Sequence, residues 1–133
     1  MDSSAFKANY DSEDDYHENA AELMRNVAGR KSNITYFLTT DYVLDEAVTL
    51  TRFACSHSKA VELIEAVRSS KFLQIVYSDE RLFSQGIEFF KRHSDKEWSL
   101  TDCFSFVTMN KLDIKTAFTF DAHFRQAGFA MIP

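Results

Sequence analysis

The chain has few of the residues that break or staple a structure. Its 133 residues include three glycines, one proline and two cysteines. So little glycine and proline excludes a collagen-like chain and leaves no long flexible linker. Cys55 and Cys103 give neither a disulfide framework nor metal-ligand spacing. Both fall in apolar helical stretches, so they read as small core residues. No apolar run approaches the ~18 residues of a membrane span. The opening stretch, MDSSAFKANYDSEDDYHENA, is acidic and lacks the apolar centre of a signal peptide. The cytoplasm is therefore the expected compartment. Basic residues are in deficit as well, and the formal net charge is −5. This argues against a protein that grips long duplex DNA through its phosphates, though not against an enzyme that touches a few phosphates at one site. There is no glycine-rich phosphate loop, Ser-His-Asp set or Cys-His pair. His17, His57, His93 and His123 lie in no recognisable motif. Only His123 is close in sequence to a candidate site.

What the chain does have is core. Apolar residues make up 45% and phenylalanine alone supplies 13, which fits one packed domain over residues 1–133. The apolar pattern alternates between helical and strand periods. Helical spacing runs over 16–28 with Gly29 as a stop, over 39–54 with Thr39 or Thr40 as N-cap, and over 57–69, 80–93 and 99–112. β-Branched and aromatic runs fall at 34–38, 72–77, 115–120 and 129–132, and 121–127 reads as a helical turn. Strands that alternate with helices imply right-handed crossovers and a mostly parallel sheet covered on both faces. Such sheets bind ligands outside the carboxyl ends of their strands. That rule selects Thr39, Thr40, Asp41 and the helix after them, and Asp121 after KTAFTF.

Three acids stand where a core normally refuses them. In the 39–54 helix, Asp41, Asp45, Thr49 and Arg52 form a polar stripe, whereas Glu46 has Tyr42, Val43, Leu50 and Phe53 as its helical neighbours. Glu46 therefore lies on or beside the apolar face, and Asp45 faces water. Asp102 shares its stripe with Trp98, Phe106 and Met109. Asp121 directly follows a strand that reads as buried. Each also has a purely structural explanation. Asp102 completes an S-x-x-D capping box with Ser99, Asp121 can cap the turn after it, and Glu46 can sit at an edge. All three nevertheless fall at one end of the inferred sheet. Carboxylates gathered there repel one another unless a cation intervenes, and no Lys or Arg is placed among them in the sequence. A divalent ion resolves this, and an all-oxygen ligand set favours Mg²⁺ or Mn²⁺ over Zn²⁺.

Asp2, in MDSSAF, adds a fourth acid. Asp2 in DSSAF, Glu46 in LDEAVTL, Asp102 in SLTDC and Asp121 in TFDAHF resemble, in order, the four acidic blocks of PIN-domain ribonucleases, most closely the VapC-type toxins of toxin–antitoxin pairs. DYHENAAEL resembles the segment after the first acid. The resemblance implies a three-layer α/β/α fold, Mg²⁺- or Mn²⁺-dependent endonuclease activity on RNA, a cognate antitoxin partner and a homodimer. It implies that Asp2, Glu46, Asp102 and Asp121 bind the metal, with Ser4 and Thr101 as accompanying hydroxyls.

One departure has consequences. The family places an apolar strand in the middle of the sheet before the first acid, whereas here Met1 alone precedes Asp2. The expectation adopted is that the natural start lies upstream. Without such a strand, its two neighbours should have unpaired ladder groups and Asp2 should lack a rigid mount. That possibility sustains a rival reading, a catalytically inactive PIN-like protein-binding module. A receiver-like regulatory domain is a further alternative, but FAMIP lacks the lysine it requires. Lys91, Arg92, His93 and Lys96, just before the Asp102 helix, read either as a phosphate-contacting lip or as cations favoured at a helix C-terminus.

Overall fold

A computed structural model describes the chain from Met1 to Pro133. In chain order the elements are α1 (Ser3–Tyr10), α2 (His17–Ala28), β1 (Phe37–Thr40), α3 (Asp41–Ala54), α4 (His57–Ser69), β2 (Leu73–Val76), α5 (Glu80–Arg92), α6 (Leu100–Lys111), β3 (Thr116–Phe118), α7 (His123–Gln126) and β4 (Ala130–Ile132). Side-chain caps set several helix starts. Thr40, Ser56, Asp79 and Ser99 each accept a backbone N–H from the first turn of α3, α4, α5 and α6. At the end of α7, Gly128 takes a φ of +91°. There the N–H groups of Gly128 and Phe129 return to the carbonyls of Arg125 and Phe124, closing a Schellman turn that favours glycine.

All strand pairing is parallel, as expected, but it forms two separate pairs, β1–β2 and β3–β4. Successive residues of β3 are buried on opposite faces. Phe118 joins a core with Phe6 of α1, Val43 and Ala47 of α3, and Leu63 of α4. Ala117 joins another with Cys103, Phe106 and Met109 of α6, Phe124 of α7, and Phe129. Helices therefore cover β3 from both sides, which gives the three-layer α/β/α order. Burial of Cys103 accords with its reading as core, while Cys55 is only half-buried at the end of α3.

The break between the strand pairs is an apolar slot of about 550 Å³, lined by Tyr36, Leu38, Thr108, Met109, Thr116 and Phe118 among others. Only Met1 and Asp2 cross it. The Met1 amine donates to the Leu38 carbonyl, and the Asp2 N–H donates to the Phe118 carbonyl at 3.0 Å. In a parallel ladder alternate residues turn both backbone groups to the same side. Leu38 and Phe118 thus face the slot, and their N–H groups have no strand across from them. The expected gap in the ladder is present.

Two expectations about elements need correction. The first strand is not 34–38 but Phe37–Thr40, because the Thr40 cap, not the apolar run, sets its end. The second is α1, which was not anticipated. Its inward face consists of the small or lone residues Ser3, Ala5, Phe6 and Ala8, too slight a pattern to stand out as a helical stripe.

Candidate active site

Asp2, Asp102 and Asp121 each tie one carboxylate oxygen to the backbone. Asp2 caps α1, and its Oδ2 accepts from the Ser4 N–H at 3.2 Å, the Ser4 hydroxyl at 2.7 Å and the Thr119 hydroxyl at 3.1 Å. Asp102 Oδ2 accepts from the Ser99 N–H at 2.8 Å, while the Asp102 N–H donates to Ser99 Oγ at 3.0 Å, which is the capping box. Asp121 Oδ1 accepts from the His123 N–H at 2.9 Å. The other oxygen of each carboxylate receives no protein hydrogen bond. Glu46 is half-buried on α3, and exposed Asp45 on the same helix faces water as expected.

Asp2 is not loosely mounted, contrary to expectation. It is 4% exposed. Its position is held by β3 through the Phe118 carbonyl and by hydroxyls that cross-link it to the third acid. Ser4 Oγ also accepts from the Phe120 N–H at 3.0 Å, and Thr119 Oγ1 accepts from the Asp121 N–H at 3.0 Å. Two hydroxyls thus connect the loop carrying Asp121 to the one carrying Asp2. Ser4 was singled out from the sequence, but Thr119 was not. The signal available was a Thr two residues before an acid, at the end of a buried strand. Thr101, the other hydroxyl singled out from the sequence, is placed differently from Ser4. It is half-buried in the first turn of α6 and makes no hydrogen bond to the acids. Ser99 holds Asp102 instead, because a residue at the cap position faces the third helical residue.

The charges of these acids bear on one another. Burial pushes the Glu46 carboxyl above its usual range; a Ser3 hydrogen bond opposes this, and the charges of Asp2, Asp102 and Asp121 add to it. Asp102 is also raised, first by burial; its Ser99 hydrogen bonds lower it, and Asp121 and Asp2 raise it. No Lys or Arg pairs with any of the four acids. The basic side chain beside them is His123, whose Nδ1 lies 3.3 Å from Asp121 Oδ1 and 3.6 Å from Asp102 Oδ2. Donor atoms of Asp102, Asp121 and His123 lie within 4.8 Å of one another. Buried carboxylates with one anchored and one unbonded oxygen, and no Lys or Arg partner, suit a hard divalent cation.

The basic residues before α6 make local contacts. Lys91 pairs with Glu88, Arg92 Nε donates to the Glu88 carbonyl, and Lys96 pairs with Asp95. His93 bonds the Phe89 carbonyl and packs on Trp98. These contacts lie at and after the α5 C-terminus, where cations are favoured.

A model of the PIN domain matches residues 1–130. The chain belongs to the PIN domain family. Its relatives include the 23S rRNA-specific endonuclease VapC20 of Mycobacterium tuberculosis, 35% identical over 95 residues, which are 71% of this chain and 72% of that protein. A VapC ribonuclease of Archaeoglobus fulgidus is 28% identical over 126 residues, covering 93% of this chain and 77% of the relative. The crystal structure of M. tuberculosis VapC20, described as a sarcin–ricin loop cleaving toxin, matches with a TM-score of 0.85 at 30% identity, over 97% of this chain and 94% of that one. The PIN domain thus has its strands in two parallel pairs here, with the acids gathered at one end.

Proposed function

We propose that this PIN domain is a divalent-metal-dependent endoribonuclease and the toxin of a toxin–antitoxin pair. The observation that carries this reading is the convergence of Asp2, Glu46, Asp102 and Asp121 from four separate parts of the fold without a Lys or Arg among them. The four acids are the proposed holders of Mg²⁺ or Mn²⁺. When bound, the cation supplies water activation and charge neutralisation at the phosphate. The chain's own residues do the positioning. Ser4 and Thr119 fix Asp2 against the loop of Asp121, Ser99 fixes Asp102, and the cores on both faces of β3 make that frame rigid. By kinship with VapC20, a stem–loop RNA carrying the sarcin–ricin sequence is the first substrate to try. The same reading brings a cognate antitoxin, a second copy of the chain and the cytoplasm. The rival reading as an inactive module loses its main support, because Asp2 is held in place.

The test is cleavage of that RNA with Mn²⁺. Asp102→Asn and Asp121→Asn should each abolish cleavage, and Asp45→Asn should be nearly silent. Full activity in Asp121→Asn would sink the assignment of the site.

A further inference from the structure

Tyr16 is an odd residue for its position. It occupies the N-cap of α2 yet makes no side-chain cap hydrogen bond, where Ser, Thr, Asp or Asn is the usual choice. Its ring lies flat on Phe120 instead, with centroids 4.5 Å apart and planes 10° from parallel. One face is thereby covered while the residue stays 51% exposed, so the other face looks out to solvent. Both members of the stack are held. Phe120 meets Phe118 edge-on at 6.1 Å, and its N–H is bound by Ser4. The Tyr16 N–H donates to Asp14 Oδ1 at 2.9 Å, and Asp14 is itself paired with Lys7. Phe120 immediately precedes Asp121, and Ser4 bonds Asp2, so the stack stands at the rim of the acid group.

The electrostatics of the rim explain why a neutral contact belongs there. Four carboxylates repel a polyanion. The nearby cation Lys7 is already taken by Asp11 and Asp14. A flat ring binds a nucleobase without needing charge, and does so for any base because each has a π-face. We propose that the outer face of Tyr16 is the stacking platform for one unpaired base of the substrate RNA beside the phosphate at the acids. This rests on the ribonuclease reading above and adds to it a positioning residue and a requirement that the base be unstacked.

The experiment measures steady-state cleavage of the sarcin–ricin stem–loop RNA with Mn²⁺ for the wild type, Tyr16→Phe, Tyr16→Leu and Tyr16→Ala. Alongside it, the fluorescence of 2-aminopurine placed in the same RNA is followed in EDTA. Stacking worth about 1–3 kcal/mol per base corresponds to a rise of roughly 5- to 150-fold in KM for Leu and Ala. Tyr16→Phe should stay within about twofold, with kcat little changed throughout. Leu keeps Phe120 covered, so it separates loss of the ring from loss of the fold. Placing an abasic residue at each RNA position in turn should reveal one position where wild type and Tyr16→Leu become equal. An unchanged KM in Tyr16→Leu, with the wild type active, would overturn the platform; so would a loss confined to kcat. A wild type that cleaves nothing yet quenches 2-aminopurine, with the quenching lost in Tyr16→Leu, would overturn the ribonuclease reading and keep the platform.

Discussion

Asp102→Asn separates the backbone anchor made by Asp102 from the metal-binding role proposed for it. The substitution conserves volume, and the amide oxygen can still accept the Ser99 N–H now bound at 2.8 Å. What changes is the second oxygen, which becomes an NH₂ group and can no longer ligate a cation. One charge also leaves a group whose burial already holds Glu46 and Asp102 above their usual range. In EDTA the variant should therefore melt at the wild-type temperature or above it. Mn²⁺ should act in the opposite sense. A cation at a hundredfold excess over its Kd stabilises the native state by about 2.7 kcal/mol. Unfolding entropy of about 2.1 cal/mol/K per residue, over 133 residues, converts this to a rise of about 10 °C in the wild type. A tenfold weaker Kd removes about 1.4 kcal/mol, or half of that rise. The assay is paired melting curves of wild type, Asp102→Asn and Asp45→Asn, with EDTA and with Mn²⁺. Two results would refute the reasoning: a wild type that Mn²⁺ does not shift, or an Asp102→Asn variant that melts far lower in EDTA. The second would mean that Asp102 serves the fold alone.

Three further outcomes are expected. Glu46 and Asp102 have folded-state pKa values raised above those of the unfolded chain, so their contribution is lost as pH rises and gained as pH falls. The Met1 amine, depressed by burial from 8.0 to about 6, works in the opposite sense above that value, so the comparison belongs below it. As the pH is lowered below about 6 in EDTA, the melting temperature of the wild type should rise relative to that of Asp102→Asn; a difference that does not change with pH contradicts the assignment. Adding about five Val and Ile residues before Met1 should raise the melting temperature. Burial at about 2 kcal/mol per side chain and ladder bonds at about 1 kcal/mol exceed an ordering cost of about 1.5 kcal/mol per residue. The Met1 amine would also become a neutral N–H facing Leu38, and an unchanged melting curve would show that the slot does not accept a strand. Gly86→Ala should lower the melting temperature by about 4–10 °C, equivalent to about 1–3 kcal/mol. Its new Cβ would lie 2.4 Å from the ring of Phe104, which Tyr42 stacks at 4.2 Å and prevents from moving aside; a variant as stable as wild type would show that the ring yields.

How much of this was legible in the sequence varied with the kind of signal. Helices with a side-chain cap were read to within a residue or two at their starts; Thr40 and Ser99 were legible as caps, while Ser56 and Asp79 do the same for α4 and α5. The α1 helix was hidden, since its buried face is two alanines, one serine and one phenylalanine, and its cap, Asp2, had been read only as a ligand. The β1 strand was displaced because TYFLTT is suited to a strand throughout, and only the cap on Val43 decides where the strand stops. Within the site, Thr119 and the firm seat of Asp2 depend on contacts between residues more than a hundred positions apart, which no local pattern carries. His123 was legible by spacing alone.

The acids show why the structural and functional readings competed so evenly. From the sequence Asp102 and Asp121 each looked like a cap or a ligand and Asp2 like a ligand alone, and the geometry makes each of the three a backbone anchor through one oxygen. A carboxylate tied this way loses its rotational freedom, and its second oxygen is aimed by the same bond. Capping therefore does the work of preorganisation: the cost of ordering the side chain is met on folding and not when a cation arrives. The arrangement also makes each acid hard to replace. Asn can preserve the anchor but not the charge, and Glu preserves the charge but, one methylene longer, cannot keep both the anchor and the aim. Sequence alone could not choose between cap and ligand at Asp102 and Asp121, because in the proposed reading the first role prepares the second.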